Sequence, residues 1–413
     1  MIWWRTAPAS LPNRPARDTF VDSASLNSSK SRDVLQLPFV ISKILAYTPH
    51  SYMRYDSVIQ TIGRTPLIAL DRICGDRIPA KVYGKVESFN PGQSAKDRAA
   101  LYMIEQAEKK GRIQPGATLI EATSGNTGYS IAMIAAVKNY KCILTLTDKA
   151  GPEKIALLKA LGAKIVLCPK DAAPEDPESY YSRAEELAGT IPNSFYLRQN
   201  WNLDNSGAHY QSTGPEIWEE TEGKVTHYVC CAGTGGTLSG TARYLKEQNP
   251  DVTVVGVDAY GSVLKKYWQT GVFDTNEIFS WKVEGLGKTI IPDNVAFELI
   301  DEFIKVGDRA AALRVREIAR REGLLLGYSS GAALEAVFAM RKQLTEDDVV
   351  VVLFPDHGSR YLGKVYNEEW MKEQGYLHPN GEPAAYSVKH LQRMYRVYKR
   401  MYGRKIKQRL NLV

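Results

Sequence analysis

The chain has 413 residues, of which 44% are hydrophobic and 24% charged, a balance typical of globular domains. This length allows a large core and predicts two domains or subdomains. No run of about 18 apolar residues occurs, so we predict no membrane-spanning helix. The five cysteines are scattered, without a CxxC pair or a Cys/His zinc spacing. This pattern predicts no metal site and free thiols in a cytoplasmic protein.

The net charge of +7 comes from the C-terminal end of the chain. The last 25 residues hold nine Lys or Arg and no acid, whereas the rest carries a net charge near −2. We therefore predict a basic tail over residues 381–413. A basic, tyrosine-rich tail is compatible with nucleic acid or anionic lipid. A solvated helix or a strap on a partner subunit is the commoner use, so no nucleic-acid partner is predicted.

The N-terminal segment, residues 1–52, mixes Arg, Ser, Pro and Asp with little apolar periodicity. It lacks the apolar region that follows the basic residues of a secretory signal. Asp18, Asp22 and Asp33 argue against an organellar transit peptide, which is poor in acids. We expect a disordered extension here and a folded core over residues 53–380.

From Lys81 onward, strand-like and helix-like segments alternate. In the first block we predict strands at 81–87, 117–125, 141–147 and 164–169, and helices at 94–111, 126–138 and 152–163. In the second block, strand-like segments are found at 194–200, 226–233, 253–259, 324–331 and 349–356. This alternation predicts the α/β class, with two domains of parallel sheet covered by helices, the smaller spanning about residues 92–195. Ligands would bind in the cleft between them.

Two glycine-rich loops each lie between a predicted strand and a predicted helix. TSGNTG (123–128) offers backbone N–H groups and hydroxyls to a small anion such as a carboxylate, and GTGGTLSG (233–240) offers them to a phosphate. Neither matches a nucleotide motif, since Leu238 fills the last glycine position of GxGxxG. GLGKT (285–289) ends like a P-loop, but Lys282 replaces its leading glycine. A third loop, GYSSGAA (327–333), also joins a predicted strand to a predicted helix. Taken by itself it is explained as a helix N-cap, and together with the other two loops it would line the floor of the cleft.

Lys96 stands at the start of the helix predicted over 94–111, where the helix dipole favours an anion over a cation. A different role fits a lysine there, because burial lowers its pKa and lets the amine form a Schiff base with an aldehyde. A reactive lysine and two anion-binding loops suit pyridoxal phosphate, which carries an aldehyde and one phosphate. We predict this cofactor, with its phosphate on residues 233–237 and the substrate carboxylate on residues 123–127.

The chain resembles the cysteine synthase and cystathionine β-synthase family of pyridoxal phosphate enzymes in five segments: NPGQSAKDRAA, EATSGNTGYSIAM, GTGGTLSG, EGLLLGYSSGAA and LFPDHGSRYLGKVYNEEWM. The resemblance runs from about Asp56 to Leu377, in the family's order. It implies the fold of the tryptophan synthase β subunit (fold type II), two α/β domains with the cofactor between them, and a homodimer. The SFKxRGA-like motif of the related serine/threonine dehydratases does not match SAKDRAA.

The resemblance also implies roles for individual residues. Lys96 would hold the cofactor and later move the α-proton of the substrate. The other cofactor contacts would be Asn126 at the ring hydroxyl, Ser329 at the pyridine nitrogen, and Gly233, Thr234, Gly235, Gly236 and Thr237 at the phosphate. The substrate carboxylate would be bound by Thr123, Ser124, Thr127 and Gln199. We expect structural roles for His209, His227 and His357, since this chemistry does not require them.

The implied reaction is β-replacement, in which serine or an O-activated serine loses its β-leaving group and a thiol adds at the β-carbon. Sulfide would give cysteine, and homocysteine would give cystathionine. Two departures from the family leave the second substrate open. Asn200 follows Gln199 where the family has Phe or Tyr, and Lys288 stands where a small, acidic or aromatic residue is expected. Two alternatives remain. In the first, the nucleophile is not a thiol but an amino acid amine or cyanide. In the second, the chain is a catalytically idle homologue with a binding or regulatory role.

Overall fold

The structure is a computed structural model that describes residues 54–384, except residues 124 and 174. The predicted N-terminal extension (1–52) and the basic tail from residue 385 onward lie outside the described residues. Among the residues that are described, no helix is long and apolar enough to cross a membrane. The same part of the chain brings together no group of side chains suited to a metal ion.

The elements follow one another in an alternating order. The described strands are β1 (Leu67–Ala69), β2 (Lys81–Val86), β3 (Thr118–Ala122), β4 (Lys141–Thr147), β5 (Lys164–Cys168), β6 (Ser194–Tyr196), β7 (His227–Cys231), β8 (Thr253–Ala259), β9 (Glu302–Val306) and β10 (Val349–Phe354). The described helices are α1 (Asp71–Cys74), α2 (Lys96–Lys109), α3 (Asn126–Lys138), α4 (Pro152–Ala160), α5 (Tyr180–Thr190), α6 (Asp204–Gln211), α7 (Thr213–Glu220), α8 (Gly236–Gln248), α9 (Leu264–Thr270), α10 (Asp308–Glu322), α11 (Tyr328–Met340) and α12 (Glu368–Glu373).

The strands form two sheets, which confirms the predicted α/β fold class. The larger sheet has the order β1-β2-β10-β7-β8-β9, and all its neighbours are parallel except β1 and β2. The smaller sheet is parallel throughout, with the order β5-β4-β3-β6. The chain thus leaves the larger sheet after β2, builds the smaller one between residues 118 and 196, and returns. The finer boundaries predicted for the smaller subdomain stay a prediction.

Two expectations about individual segments were wrong. The segment from residue 194, placed in the second block, pairs with β3 at Ile120 and Tyr196 and so belongs to the smaller sheet. The segment 324–331 contains no strand but one isolated bridge, from Leu326 to His357, and α11 follows at once. Three consecutive leucines are too short a run for apolar pattern alone to separate a strand from a buried connection.

The central strand β10 of the larger sheet has a continuously apolar sequence because it is buried on both faces. Val350, Val352 and Phe354 pack into one buried cluster together with α11, whereas Val351 and Leu353 pack into another with α8. Both faces of the strand are therefore covered, and an alternating polar pattern has no place in it. The carboxyl end of β10, at Phe354, is consequently anchored in the core.

A network of buried charges holds the start of α2. The Arg98 guanidinium contacts Glu87, which follows β2, at 2.7 Å and Glu216 of α7 at 2.5 Å. Lys85 lies 2.8 Å from Glu216, which joins the same network to the larger sheet. Burial alone would raise the pKa of Glu87, but the Arg98 charge holds it below its usual value. The helix start is therefore fixed by ionic hydrogen bonds inside the protein.

Replacing Arg98 by methionine tests this network. Glu87, whose side chain has no exposed surface, would lose its cation. Because breaking a buried pair leaves an uncompensated charge, we expect Arg98→Met to lower the free energy of unfolding by about 3–5 kcal/mol. Urea titration of both proteins measures the change.

The matched control is Arg183→Met, which removes a surface ion pair with Glu186 whose side chains are 46% and 54% exposed. Exposed pairs contribute little, so this loss should stay within about 1 kcal/mol. Equal losses in the two variants would contradict a special role for the Arg98 network.

Candidate active site

Lys96 is the first residue of α2, and the loop before it is attached to the end of β10. The Ala95 N–H donates to the Pro355 carbonyl at 2.9 Å, and the His357 N–H donates to the Gln93 carbonyl at 3.1 Å. Burial lowers the pKa of the Lys96 amine, although Cys230, Asp356 and Glu87 act in the opposite direction. Among the described residues, the amine has no hydrogen-bond partner. These properties suit a lysine that reacts as a neutral nucleophile.

Thr127 and Gln199, two of the residues predicted to bind the substrate carboxylate, meet at one site. The buried Thr127 hydroxyl, in the first turn of α3, donates to Gln199 Oε1 at 2.6 Å. Thr123 lies just after β3 and is buried, and its hydroxyl accepts from the Gly125 N–H at 3.2 Å. Ser124, the fourth predicted residue, lies outside the described residues. The site offers hydroxyl and amide groups at the start of a helix, which is the chemistry that binds a carboxylate.

The predicted phosphate loop lies at the start of α8. A Cβ atom on Gly233 would come within 2.5 Å of the Gly285 carbonyl oxygen, and one on Gly236 within 2.1 Å of Asn205 Oδ1. Gly235 has φ +93°, a conformation that side chains disfavour. Thr234 and Thr237 are both buried there. The glycines thus form a cradle of backbone at the N-terminus of a 13-residue helix, where a phosphate is favoured.

Asn205 and His209 of α6 support this loop. Asn205 Nδ2 donates both to Thr234 Oγ1 at 3.1 Å and to the Gln199 carbonyl at 2.7 Å. It therefore connects the phosphate loop with the carboxylate site. His209 lies between Thr213 (2.8 Å) and Thr237 (3.1 Å), and burial lowers its pKa to about 3. The His209 ring is thus neutral and positions a threonine of the loop.

Asn126 and Ser329, the remaining residues predicted to contact the cofactor, lie at the starts of α3 and α11. Asn126 Nδ2 donates to Asp356 Oδ2 at 2.8 Å, and its Oδ1 accepts from Arg360. Ser329 is buried, and its carbonyl accepts from the Cys231 thiol at 3.2 Å. Asp356 is buried too, and its Oδ1 has no partner among the described residues. Asp356 and Arg360 therefore hold the amide of Asn126 from the end of β10.

Sequence reasoning missed several of these supporting residues. It assigned no role to Asn205 or Arg360 and took Asp356 only as the end of a strand. Glu121 of β3 was also missed, although it is a buried acid in an otherwise apolar strand, and burial raises its pKa to about 8. A charged residue inside a predicted buried strand is a signal that could have identified it.

The residues present fit pyridoxal phosphate. The Lys96 amine, whose pKa is lowered by desolvation, suits an aldehyde, and the cradle of glycines that a Cβ would fill suits a phosphate. The hydroxyl-lined loop at Thr123 and Thr127 suits the carboxylate of an amino acid. Fold and site together therefore fit the class of pyridoxal phosphate-dependent proteins.

Comparisons with known proteins agree with this class. Residues 58–356 match the family described as pyridoxal-phosphate dependent enzyme. Cysteine synthase 1 of Neurospora crassa is 37% identical over 76% of this chain and 84% of its own length. The chain belongs to this family, in its cysteine synthase and cystathionine β-synthase group.

Two further relatives come from the cystathionine β-synthases. The enzyme of Apis mellifera is 44% identical over 78% of this chain, but the match spans only 63% of the length of the bee enzyme. The crystal structure of the O-acetylserine dependent cystathionine beta-synthase from Helicobacter pylori is 35% identical, with a TM-score of 0.69. It covers 76% of this chain and 100% of that one.

The neutral His209 makes stability depend on pH. The folded protein keeps the ring unprotonated down to about pH 3, whereas the unfolded chain binds a proton below about 6.5. The unfolded state thus binds more protons between these values, and the free energy of unfolding falls as the pH drops. One such group contributes about 1.4 kcal/mol per pH unit. We expect the His209→Gln variant to lose this contribution to the pH dependence of the free energy of unfolding, as measured by urea titrations from pH 6.5 to 4.5.

His378→Gln is the control, because His378 is exposed. Its slope should equal that of the unchanged protein. A His209→Gln variant with an unchanged slope would show that the ring is protonated in the folded state.

Proposed function

We propose that the chain catalyses a pyridoxal phosphate-dependent β-replacement. The donor is serine or an O-activated serine, and the acceptor is a thiol. Sulfide gives L-cysteine, and homocysteine gives L-cystathionine. The observation that carries the proposal is the half-buried Lys96, whose amine has a lowered pKa, together with the Thr127–Gln199 pair and the glycine cradle, which Asn205 joins. The names of the relatives support the same reaction class.

The cofactor supplies, when bound, an aldehyde for a lysine amine and a ring that withdraws electrons from the α-carbon. Lys96 would hold it and, once freed, would take the α-proton on Nζ. Burial favours this step because it lowers the pKa of the amine. Asn126, held by Asp356, would fix the ring hydroxyl, and Ser329 would face the ring nitrogen.

The remaining residues would orient the amino acid and its cofactor. Thr123, Ser124, Thr127 and Gln199 would hold the α-carboxylate, which fixes the α-proton over Lys96. The loop from Gly233 to Thr237 would hold the phosphate through backbone N–H groups and threonine hydroxyls. His209 keeps Thr237 in place without contributing charge.

We also propose a cytoplasmic homodimer. All five cysteines are buried and free, which supports a reducing compartment. Large apolar side chains such as Phe89, Val272 and Leu362 are more than half exposed and would be available to a second copy.

The reaction is tested by the visible spectrum of the purified protein. We expect an absorption band of lysine-bound cofactor that changes when serine or O-acetylserine is added, and that is lost in Lys96→Ala. Mass spectrometry after adding sulfide or homocysteine should detect cysteine or cystathionine. The donor that changes the spectrum identifies the leaving group.

Lys109→Ala is the control for this experiment, since Lys109 is an exposed lysine at the other end of the same helix. It should keep both the band and the activity. If the purified protein takes up no pyridoxal phosphate, the proposal that the chain is a pyridoxal phosphate enzyme is refuted. A band with products only from an amine or cyanide would instead establish a different nucleophile.

A further inference from the structure

A cavity of about 440 Å³ lies between helix α5 and the loop that follows strand β6, the edge strand of the smaller sheet. Its volume is in the range of sites that bind small molecules. None of the residues predicted to contact the cofactor or the substrate lines it. The lining includes three aromatic and three charged side chains: Tyr181, Tyr196, Trp201, Glu185, Glu186 and Arg198.

The three aromatic side chains of this cavity are held in place. The rings of Tyr181 and Trp201 lie nearly perpendicular, with centroids 5.5 Å apart and planes at 74°. Asn200 Nδ2 donates to the Tyr181 hydroxyl at 3.4 Å, and the Trp201 N–H donates to the Arg198 carbonyl at 2.9 Å. Tyr196 belongs to a buried cluster of the smaller sheet. The cavity therefore has a fixed aromatic wall with ring faces in different directions.

Two polar atoms of this wall lack hydrogen-bond partners. Tyr196 is only 8% exposed, and its hydroxyl has no partner among the described residues. The same is true, within the described part of the chain, of Oδ1 of Asn200, the residue that holds Tyr181. Buried polar groups are normally paired, and an unpaired one indicates a water, ion or ligand that binds there. The wall of the cavity is thus incomplete without an occupant.

The charges of the cavity favour a cation. Two carboxylates, Glu185 and Glu186, line it against one guanidinium, that of Arg198, so the lining has a net charge of −1. The Arg198 guanidinium lies 5.6 Å from the centroid of the Tyr196 ring, so this ring already interacts with a positive charge. The pairs of Glu185 with Arg198 and of Glu186 with Arg183 are about half exposed, and such pairs are weak. Both carboxylates can therefore attract a cation from solution.

The composition of the wall also indicates the kind of cation. The described residues bring together no group of side chains suited to a metal ion. A primary ammonium is strongly hydrated, and the aromatic faces of Tyr181, Tyr196 and Trp201 offer no acceptors that replace its water. An alkylated ammonium is weakly hydrated, and aromatic rings attract it through their negative faces.

We propose that this cavity binds a small molecule that carries an alkylated ammonium group. The cation would lie against the rings of Tyr181, Tyr196 and Trp201, and the two carboxylates would balance its charge. A polar group of the same molecule would satisfy the buried hydroxyl of Tyr196. This binding site is additional to the proposed function, because none of its residues is assigned to the reaction.

The test compares two probes in calorimetric titrations of the full-length protein loaded with pyridoxal phosphate, without substrate. Choline carries a trimethylammonium group and a hydroxyl. The second probe is the dimethylbutanol in which carbon replaces the nitrogen of choline, so that it has the same shape without the charge. A difference between the two dissociation constants therefore measures recognition of the cation.

Three variants test where choline binds. Trp201→Leu removes one ring, Trp201→Phe keeps a ring, and a double variant, Glu185→Gln with Glu186→Gln, removes both carboxylate charges. The matched controls lie outside the cavity lining. They are Phe273→Leu, which removes an exposed aromatic ring, and Glu346→Gln, which removes an exposed acid. Urea titration establishes that each variant is folded.

We expect a dissociation constant for choline below about 10 mM, and binding of the uncharged probe that is at least about 10-fold weaker. Trp201→Leu should raise the constant for choline by about 3- to 30-fold, as the loss of a cation–π contact predicts. Trp201→Phe should retain most of the affinity. The double glutamine variant should bind choline more weakly, by a factor that decreases at high salt. Both controls should match the unchanged protein.

Three results would overturn the inference. The protein could fail to bind choline at about 10 mM, or bind both probes equally, which would exclude recognition of the charge. Thirdly, Trp201→Leu could change the affinity no more than Phe273→Leu does, which would place the binding elsewhere. If Trp201→Leu does not fold, the double glutamine variant decides the location against Glu346→Gln. Because no substrate is present, these results do not depend on the proposed reaction.

Discussion

The site depends on one constraint, which is that the amine of Lys96 must be held still in an environment that disfavours its charge. Asp97 and Arg98, the two residues after it, fix its position. Asp97 accepts from the Gly92 N–H and from Ser130 of α3, both at 2.5 Å, and Arg98 contacts Glu87 and Glu216. Burying these charges is costly by itself, and the ionic hydrogen bonds offset that cost. The acid and the base beside the lysine therefore fix the start of α2.

The phosphate cradle closes because its small residues allow a close approach of neighbouring groups. A side chain at Gly233 or Gly236 would collide with Gly285 or Asn205, so the cradle closes only with glycine at these positions. Neutral polar groups then complete the site. His209 holds Thr237, and Asn205 joins the cradle to Gln199. Both sheets thus contribute residues to this site, Thr123 after β3 of the smaller sheet and the cradle after β7 of the larger one.

Strands and helices could be predicted from the sequence where the pattern that indicates them is local. Strand β4 and helix α3 were predicted with the observed bounds, because each is a continuous run between clear breaks. The pairing of strands joins segments that are far apart in the sequence, which is why β6 was assigned to the wrong block. The same holds for the support of Asn126, since Asp356 is 230 residues away in the chain. The roles transferred by family resemblance stay predictions, and the contacts described here give them a physical basis.

The most direct test of the central claim is to find which lysine carries the cofactor. The holoenzyme is reduced with borohydride, digested, and its peptides are mapped by mass spectrometry. The account predicts a pyridoxyl group on Lys96 alone, because desolvation lowers the pKa of its amine and favours the neutral nucleophile. Modification of another lysine instead, such as the half-buried Lys288, would contradict it, and so would a reduced protein that carries no pyridoxyl group.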